Sequence, residues 1–102
     1  MELIIEWDAN KDRANSKKHR VSFEEAKTLF NDPLLITFPD EYHSDSEERY
    51  ISIGCSARGR ILLAIHTERE ETDNSLTIRI ISSRKVTPAE RRTYEQDTDR
   101  TG

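Results

Sequence analysis

The chain has 102 residues, of which 35% are charged and 33% belong to the hydrophobic set, with a formal net charge of -4. That length sets one domain with a modest core, and the acidic balance excludes indiscriminate nucleic-acid binding through an overall basic surface. The single cysteine, Cys55, excludes an intrachain disulfide, and no Cys/His spacing fits a zinc site.

The short apolar run Leu3-Ile4-Ile5, broken by Glu6 and Asp8, fits neither a signal peptide nor a membrane span, so the cytoplasm is the expected compartment. Residues 2–7 read as a strand ending at Trp7, with Asp8 placed to cap a polar helix, Ala9 to Lys18, in which Ala14 is an inward candidate. Ser22-Phe23-Glu24-Glu25 fits a capping box; Phe23, Ala26, Leu29 and Phe30 form the stripe of a second helix, stopped by Asp32-Pro33. Leu34 to Phe38 and Arg49 to Cys55 read as strands around an acidic loop that carries His43. Two alternating runs follow, Ile61-Leu63-Ile65 and Leu76-Ile78-Ile80, joined by a polar loop over Glu68 to Ser75. Thr87-Pro88-Ala89-Glu90 starts a last helix that should reach about Gln96, leaving residues 97–102 as a polar tail. The order is β-α-α-β-β-β-β-α, a single α+β domain over residues 1–96 with a mostly antiparallel sheet. The expected core sets Ile51, Ile53, Ile61, Leu63, Ile65, Ile78 and Ile80 on one face against Phe23, Ala26, Leu29 and Phe30.

On that parity His66, Arg60 and Arg79 share the uncovered face, with Ser82, Ser83, Arg84 and Lys85 at its exit. An imidazole can take a proton from an RNA 2′-hydroxyl and return one to the leaving oxygen, while guanidinium groups fork onto phosphate. Arg79 beside His66 should lower its pKa and keep it a base. The alternatives are bland: a strand histidine satisfied by Glu68, solvated cross-strand arginines, turn polarity at residues 82–85, Tyr94 as core, and His19 and His43 as exposed residues. Residues 40–48 are acidic whereas Lys11 to Arg20 and Arg79 to Arg92 are basic-rich, so a local basic site survives the negative total.

The ordered set Trp7-Asp8 with Lys11 and Asn15, Lys18-His19 before Val21-Ser22-Phe23, Glu48-Arg49 with Ile53-Gly54, His66-Thr67, Arg79-Ile80-Ile81-Ser82 with Arg84, and Glu90-Arg91 with Tyr94 resembles the BrnT family of bacterial type II toxins. The resemblance runs from about Glu6 to Glu95 and implies a RelE-like fold, helices packed on one face of the sheet. It also implies a ribonuclease that blocks translation without metal or cofactor. The implied partners are RNA, a ribbon-helix-helix antitoxin like BrnA and, through the antitoxin alone, operator DNA. Carried over by position, His66, Arg79, Arg84, Glu90 and Tyr94 become the site, with Arg60 added from the strand parity; the roles come from the chemistry above. Arg20 stands where members usually place glycine, which implies either a left-handed residue or a different turn between the first two helices. The other reading, from a different class, is a toxin homologue without activity that serves as a protein-binding module.

Overall fold

Caps fix where the helices begin. The computed structural model describes residues 2–42 and 47–101, with side chains as far as Asp97; His43 lies outside the described residues. Asp8 turns its carboxylate onto Asn10 N–H at 2.7 Å and Lys11 N–H at 3.1 Å, and helix α1 runs Ala9–His19. It ends on Arg20, whose left-handed backbone (φ 58°, ψ 34°) lets its N–H reach Ser16 O at 2.9 Å. That is the conformation a glycine would take without strain, and the Cβ costs about 1 kcal/mol. Ser22 Oγ accepts Glu25 N–H at 3.1 Å to open α2, Phe23–Lys27, which tightens into a 3-10 turn over Thr28–Asn31. Only half of that capping box forms, because the Glu25 carboxylate turns inward to Ser56 and Arg60. Before α3, Pro88–Thr101, both halves form: Glu90 N–H donates to Thr87 Oγ1 at 3.2 Å and Thr87 N–H to Glu90 Oε1 at 2.8 Å. This helix passes Gln96, so the backbone of the expected tail is helical to Thr101.

The strands are β1 (Glu2–Trp7), β2 (Ile36–Pro39), β3 (Tyr50–Cys55), β4 (Ile61–Thr72) and β5 (Ser75–Lys85). They form one mixed sheet in the order β1-β5-β4-β3-β2, with β1 parallel to β5 and the other pairs antiparallel. The α+β class and the element order are as expected. The predicted loop Glu68 to Ser75 is instead ladder: Arg69 pairs with Thr77 and Glu70 with Leu76, leaving only Asp73-Asn74 as the turn. Residues 68–72 are exposed, so no apolar alternation marked them as strand; cross-strand pairing holds them without a buried face.

The parity of β4 also departs from expectation. Leu62 and Ala64 pack with Val21 and Leu29 under α2 and its 3-10 turn, while Phe23 and Ala26 pack with Ile80, Ile5 and Trp7. Ile51, Ile53, Ile61, Leu63 and Ile65 gather on the other face around Tyr94 of α3. Of the seven expected core positions only Ile78 and Ile80 face the α2 layer, and α3 covers the opposite face rather than joining a one-sided helix layer. The reason lies in β4 itself: ILLAI is apolar at both parities, as in a strand buried on both sides, so alternation could not choose a face. In α1 the inward residue is Asn15 and Ala14 is exposed. Gly54 allows the tight approach of Asp32, Leu35 and β3, since a Cβ there would sit 2.8 Å from Leu35 Cδ1 and 3.3 Å from Asp32 Oδ2.

Candidate nucleic-acid interface

His66 faces the α2 layer and is fully buried. Phe30 meets its ring edge-on at 5.1 Å, and Tyr50 stacks at 6.0 Å with a 25° interplanar angle. Its Nε2 shares a 2.7 Å hydrogen bond with Ser52 Oγ, which is 2.7 Å from Thr37 Oγ1. Nδ1 is buried without a hydrogen bond, 4.0 Å from Glu68 Oε1. Burial pushes its pKa down to about 4, opposed only in part by the Thr67 backbone. The fall is in the expected direction, but its cause is desolvation, not Arg79. The expected meeting of His66, Arg60 and Arg79 on an open face does not occur. A shift in β4–β5 pairing between Ile65 and His66 seats His66 opposite Ile80, whereas Arg79 lies beside Thr67 on the far face.

Four other expected site residues are committed to partners. Arg60 clasps Glu25 through Nε, at 2.9 Å, and Nη2, and its Nη2 also donates to Arg20 O at 3.3 Å. Glu25 is buried; the Arg60 hydrogen bond holds its pKa below the usual range. Arg84 and Glu90 form a bidentate pair at 2.8 and 2.9 Å, and chiefly this lowers Glu90 to about 2. Tyr94 donates its phenol to Asp32 Oδ2 at 2.6 Å, and burial followed by that bond raises its pKa. Burial works against Asp32 ionising, yet hydrogen bonds from Cys55 N–H, Tyr94 and Leu34 N–H keep its pKa low. Tyr94 is thus a core latch that ties α3, through Asp32 after the 3-10 turn, to the end of β3. Ser83 is likewise structural, its Oγ bonded to Leu63 O at 2.9 Å.

The chemistry-bearing residues that stay accessible collect elsewhere. A hollow of about 320 Å³ between α1 and β5 is lined by Lys11, Ala14, Asn15, Lys18, His19, Ile81 and Ser82. It exists because β1 stops at Trp7, paired with Ile80, and leaves the edge of β5 free beyond that point. Asn15 fills the missing strand's place. Its Nδ2 donates to Ser83 O at 2.8 Å and to Val21 O at 2.9 Å, and its Oδ1 accepts Ser83 N–H at 3.1 Å. That double clasp holds α1 against the sheet edge and turns Lys11, Lys18 and His19 toward the groove. Arg79 is not in the wall of this hollow; it pairs with Glu6 on β1, two residues before the Asp8 cap. Lys11 N–H and Asn10 N–H hold the Asp8 pKa low, with the charges of Lys11 and Arg79 adding to the effect. Sequence reasoning named Asn15 and His19 within the ordered signature but gave neither a place in the site; the structure sets both in the wall of this hollow.

A larger hollow, about 560 Å³ between β2 and α3, is lined by Leu35, Ile36, Thr37, Phe38, Thr93, Gln96 and Asp97 and offers little proton chemistry. Charge is divided along the sheet. Glu2, Glu68, Glu70, Glu71 and Asp73 crowd the hairpin tip, with Glu41, Glu47 and Glu48 at the same end, whereas α1 and the exit of β5 carry the cations. Among the described residues no three His, Cys, Asp or Glu side chains stand close enough to hold a metal ion, and no helix is long and apolar enough to cross a membrane.

Known proteins fit this picture. Among solved structures, the 1.1 Å crystal structure of the Brucella abortus ribonuclease toxin BrnT is similar over 85% of this chain and 99% of that one, with a TM-score of 0.61 and 21% identity, a likeness of fold. No curated protein matches the chain. Residues 7–90 match the family described as the ribonuclease toxin BrnT of type II toxin–antitoxin systems. The chain therefore belongs to the BrnT ribonuclease toxin family, whose type II setting implies an antitoxin partner.

Proposed function

We propose that this chain is a metal-independent endoribonuclease whose RNA strand lies in the α1–β5 groove. One observation carries the reading: Lys11, Asn15, Lys18, His19 and Ser82, all in the signature that marks the family, line a single hollow. Cleavage by transesterification removes a proton from the 2′-oxygen, which bonds to phosphorus as the bond to the 5′-oxygen breaks. The products are a 2′,3′-cyclic phosphate and a 5′-hydroxyl. In this reading His19 accepts the 2′-proton, an ammonium of Lys11 or Lys18 protonates the 5′-oxygen, and Arg79 offsets the charge on phosphorus. His66 keeps the fold in this scheme, because no substrate atom reaches a ring sealed by Phe30 and Tyr50. Arg84, Glu90 and Tyr94 support the walls from a distance through their own partners.

The biological reading follows the family. A cytoplasmic toxin would arrest translation by cutting RNA. A ribbon-helix-helix antitoxin would cover the cationic groove with acidic side chains, and operator DNA would be bound through the antitoxin alone. The test is cleavage of total RNA by the purified chain in EDTA, together with growth arrest on expression and rescue by the antitoxin. Metal-free cleavage with 2′,3′-cyclic ends is expected. No cleavage with intact antitoxin binding would favour the binding-module reading, and cleavage that stops in EDTA would remove the metal-free mechanism.

A further inference from the structure

A second cationic hollow lies where β5 meets α3. It encloses about 300 Å³ and is lined by Gly59, Arg60, Ile61, Lys85, Val86 and Arg91, three cations with no carboxylate in the wall. The nearby acids are already engaged: Glu25 with Arg60, Glu90 with Arg84 and the Thr87 N–H, and Glu95 with Arg91 at 3.4 Å. Arg60 spends Nε and Nη2 on Glu25, which leaves Nη1 outside that clasp. Lys85 is exposed, and its ammonium has no partner among the described residues. The floor is open, since a Cβ on Gly59, at φ +80°, would meet nothing within 4 Å.

This hollow shares a strand with the groove. Ser82 lines the groove and Lys85 the second hollow, three residues apart on β5, a rise of about 10 Å. That span matches a few nucleotides of a single strand. We propose that Lys85, Arg91 and Arg60 form a second phosphodiester subsite, which holds an RNA strand as it leaves the groove along the last turn of β5. The proposal rests on the RNA reading above and deepens it, by making affinity depend on substrate length.

The experiment measures binding of a dinucleotide and an octanucleotide RNA by fluorescence anisotropy across a salt series. It compares the wild-type chain with Lys85→Ala/Arg91→Ala, and with Lys85→Glu as a second variant. Both positions are exposed, so thermal unfolding should be unchanged. For the octanucleotide the slope of log K against log salt should shrink by about 0.7 for each cation removed, and Lys85→Glu should weaken binding further. The loss should be much larger for the octanucleotide than for the dinucleotide. Equal losses at both lengths, or an unchanged slope, would overturn the subsite while leaving the groove reading standing. If the wild-type chain bound neither RNA, the groove reading would fall and the subsite with it. If only antitoxin binding weakened, the hollow would belong to the protein partner and the proposal would be wrong.

Discussion

The groove between α1 and β5 and the chamber around His66 each hold one histidine, and they differ in access and in surrounding charge. His19 is half-buried beside Lys11 and Lys18 at the cationic end. His66 is fully buried between two aromatic rings, with a Glu68 carboxylate oxygen 4.0 Å from its Nδ1 and Glu48 bonded to the Tyr50 phenol at 3.2 Å. Phosphate would be drawn to the first and repelled from the second. The lesson is that a histidine on a strand with apt neighbours in sequence is no proton shuttle until its side of the strand is known.

The comparison breaks most readily at Lys11, in the groove wall, and at Arg79, which pairs with Glu6 just before the α1 cap. Lys11→Ala and Arg79→Ala should each slow RNA cleavage by about 10²–10³-fold, on the scale of losing one donor to developing charge. Circular dichroism should remain unchanged, because both side chains are exposed. Cleavage within threefold of wild type in both variants would move the phosphate site away from α1.

A second way to sharpen it uses acid. His66 has its folded pKa near 4, below the ordinary 6.5, so between those values the unfolded chain takes up a proton that the folded one refuses. Stability from this group is whole above about pH 6.5, declines as pH falls toward 4, and loses about 3 kcal/mol in total. Glu90, lowered from 4.5 to about 2, adds its loss only below that window. Urea unfolding of wild type and His66→Gln at pH 7 and pH 4.5 checks this. The variant should show a markedly flatter pH dependence, and an equally steep one would mean that His66 is not the group refusing the proton.

Much of the architecture was legible because caps and alternation are local signals. Asp8, Ser22 and Thr87 announced three helix starts, and the family pattern narrowed Arg20 to a left-handed residue or a different turn, of which the structure takes the first. What was not legible was non-local. Which side of β4 receives α2 depends on two helices covering both faces, and Leu62-Leu63-Ala64-Ile65 is apolar either way. The ion pairs of Arg60 and Arg84 were hidden for a similar reason: Glu25 is 35 residues from Arg60, and Glu90 was already read as a cap. The groove depends on where β1 ends against β5, a parallel pairing that no hairpin signal announces.

Asn15 links the two regions, since its clasp on Ser83 builds the groove without touching its chemistry. Asn15→Ala would leave Ser83 N–H and O unpaired in a buried place and should cost about 2 kcal/mol. Cleavage should fall even where the variant is fully folded, with the loss shared between kcat and KM. A stability loss with unchanged kinetics would separate α1 placement from the site. The smallest effect is expected at Arg20. Arg20→Gly removes the strained Cβ while keeping the carbonyl that Arg60 binds, and should raise stability by at most about 1 kcal/mol, measured by urea titration.

The two histidines provide the most direct test of where the chemistry lies. Purified His19→Ala and His66→Gln should be compared with wild type for RNA cleavage at pH 7.5 in EDTA, with unfolding curves run on the same samples. The account predicts a loss of about 10²–10⁴-fold for His19→Ala, the scale of a proton-transfer residue, while folded His66→Gln keeps activity near wild type. Full activity in His19→Ala with a large loss in folded His66→Gln would return the catalytic centre to the buried ring and contradict the groove.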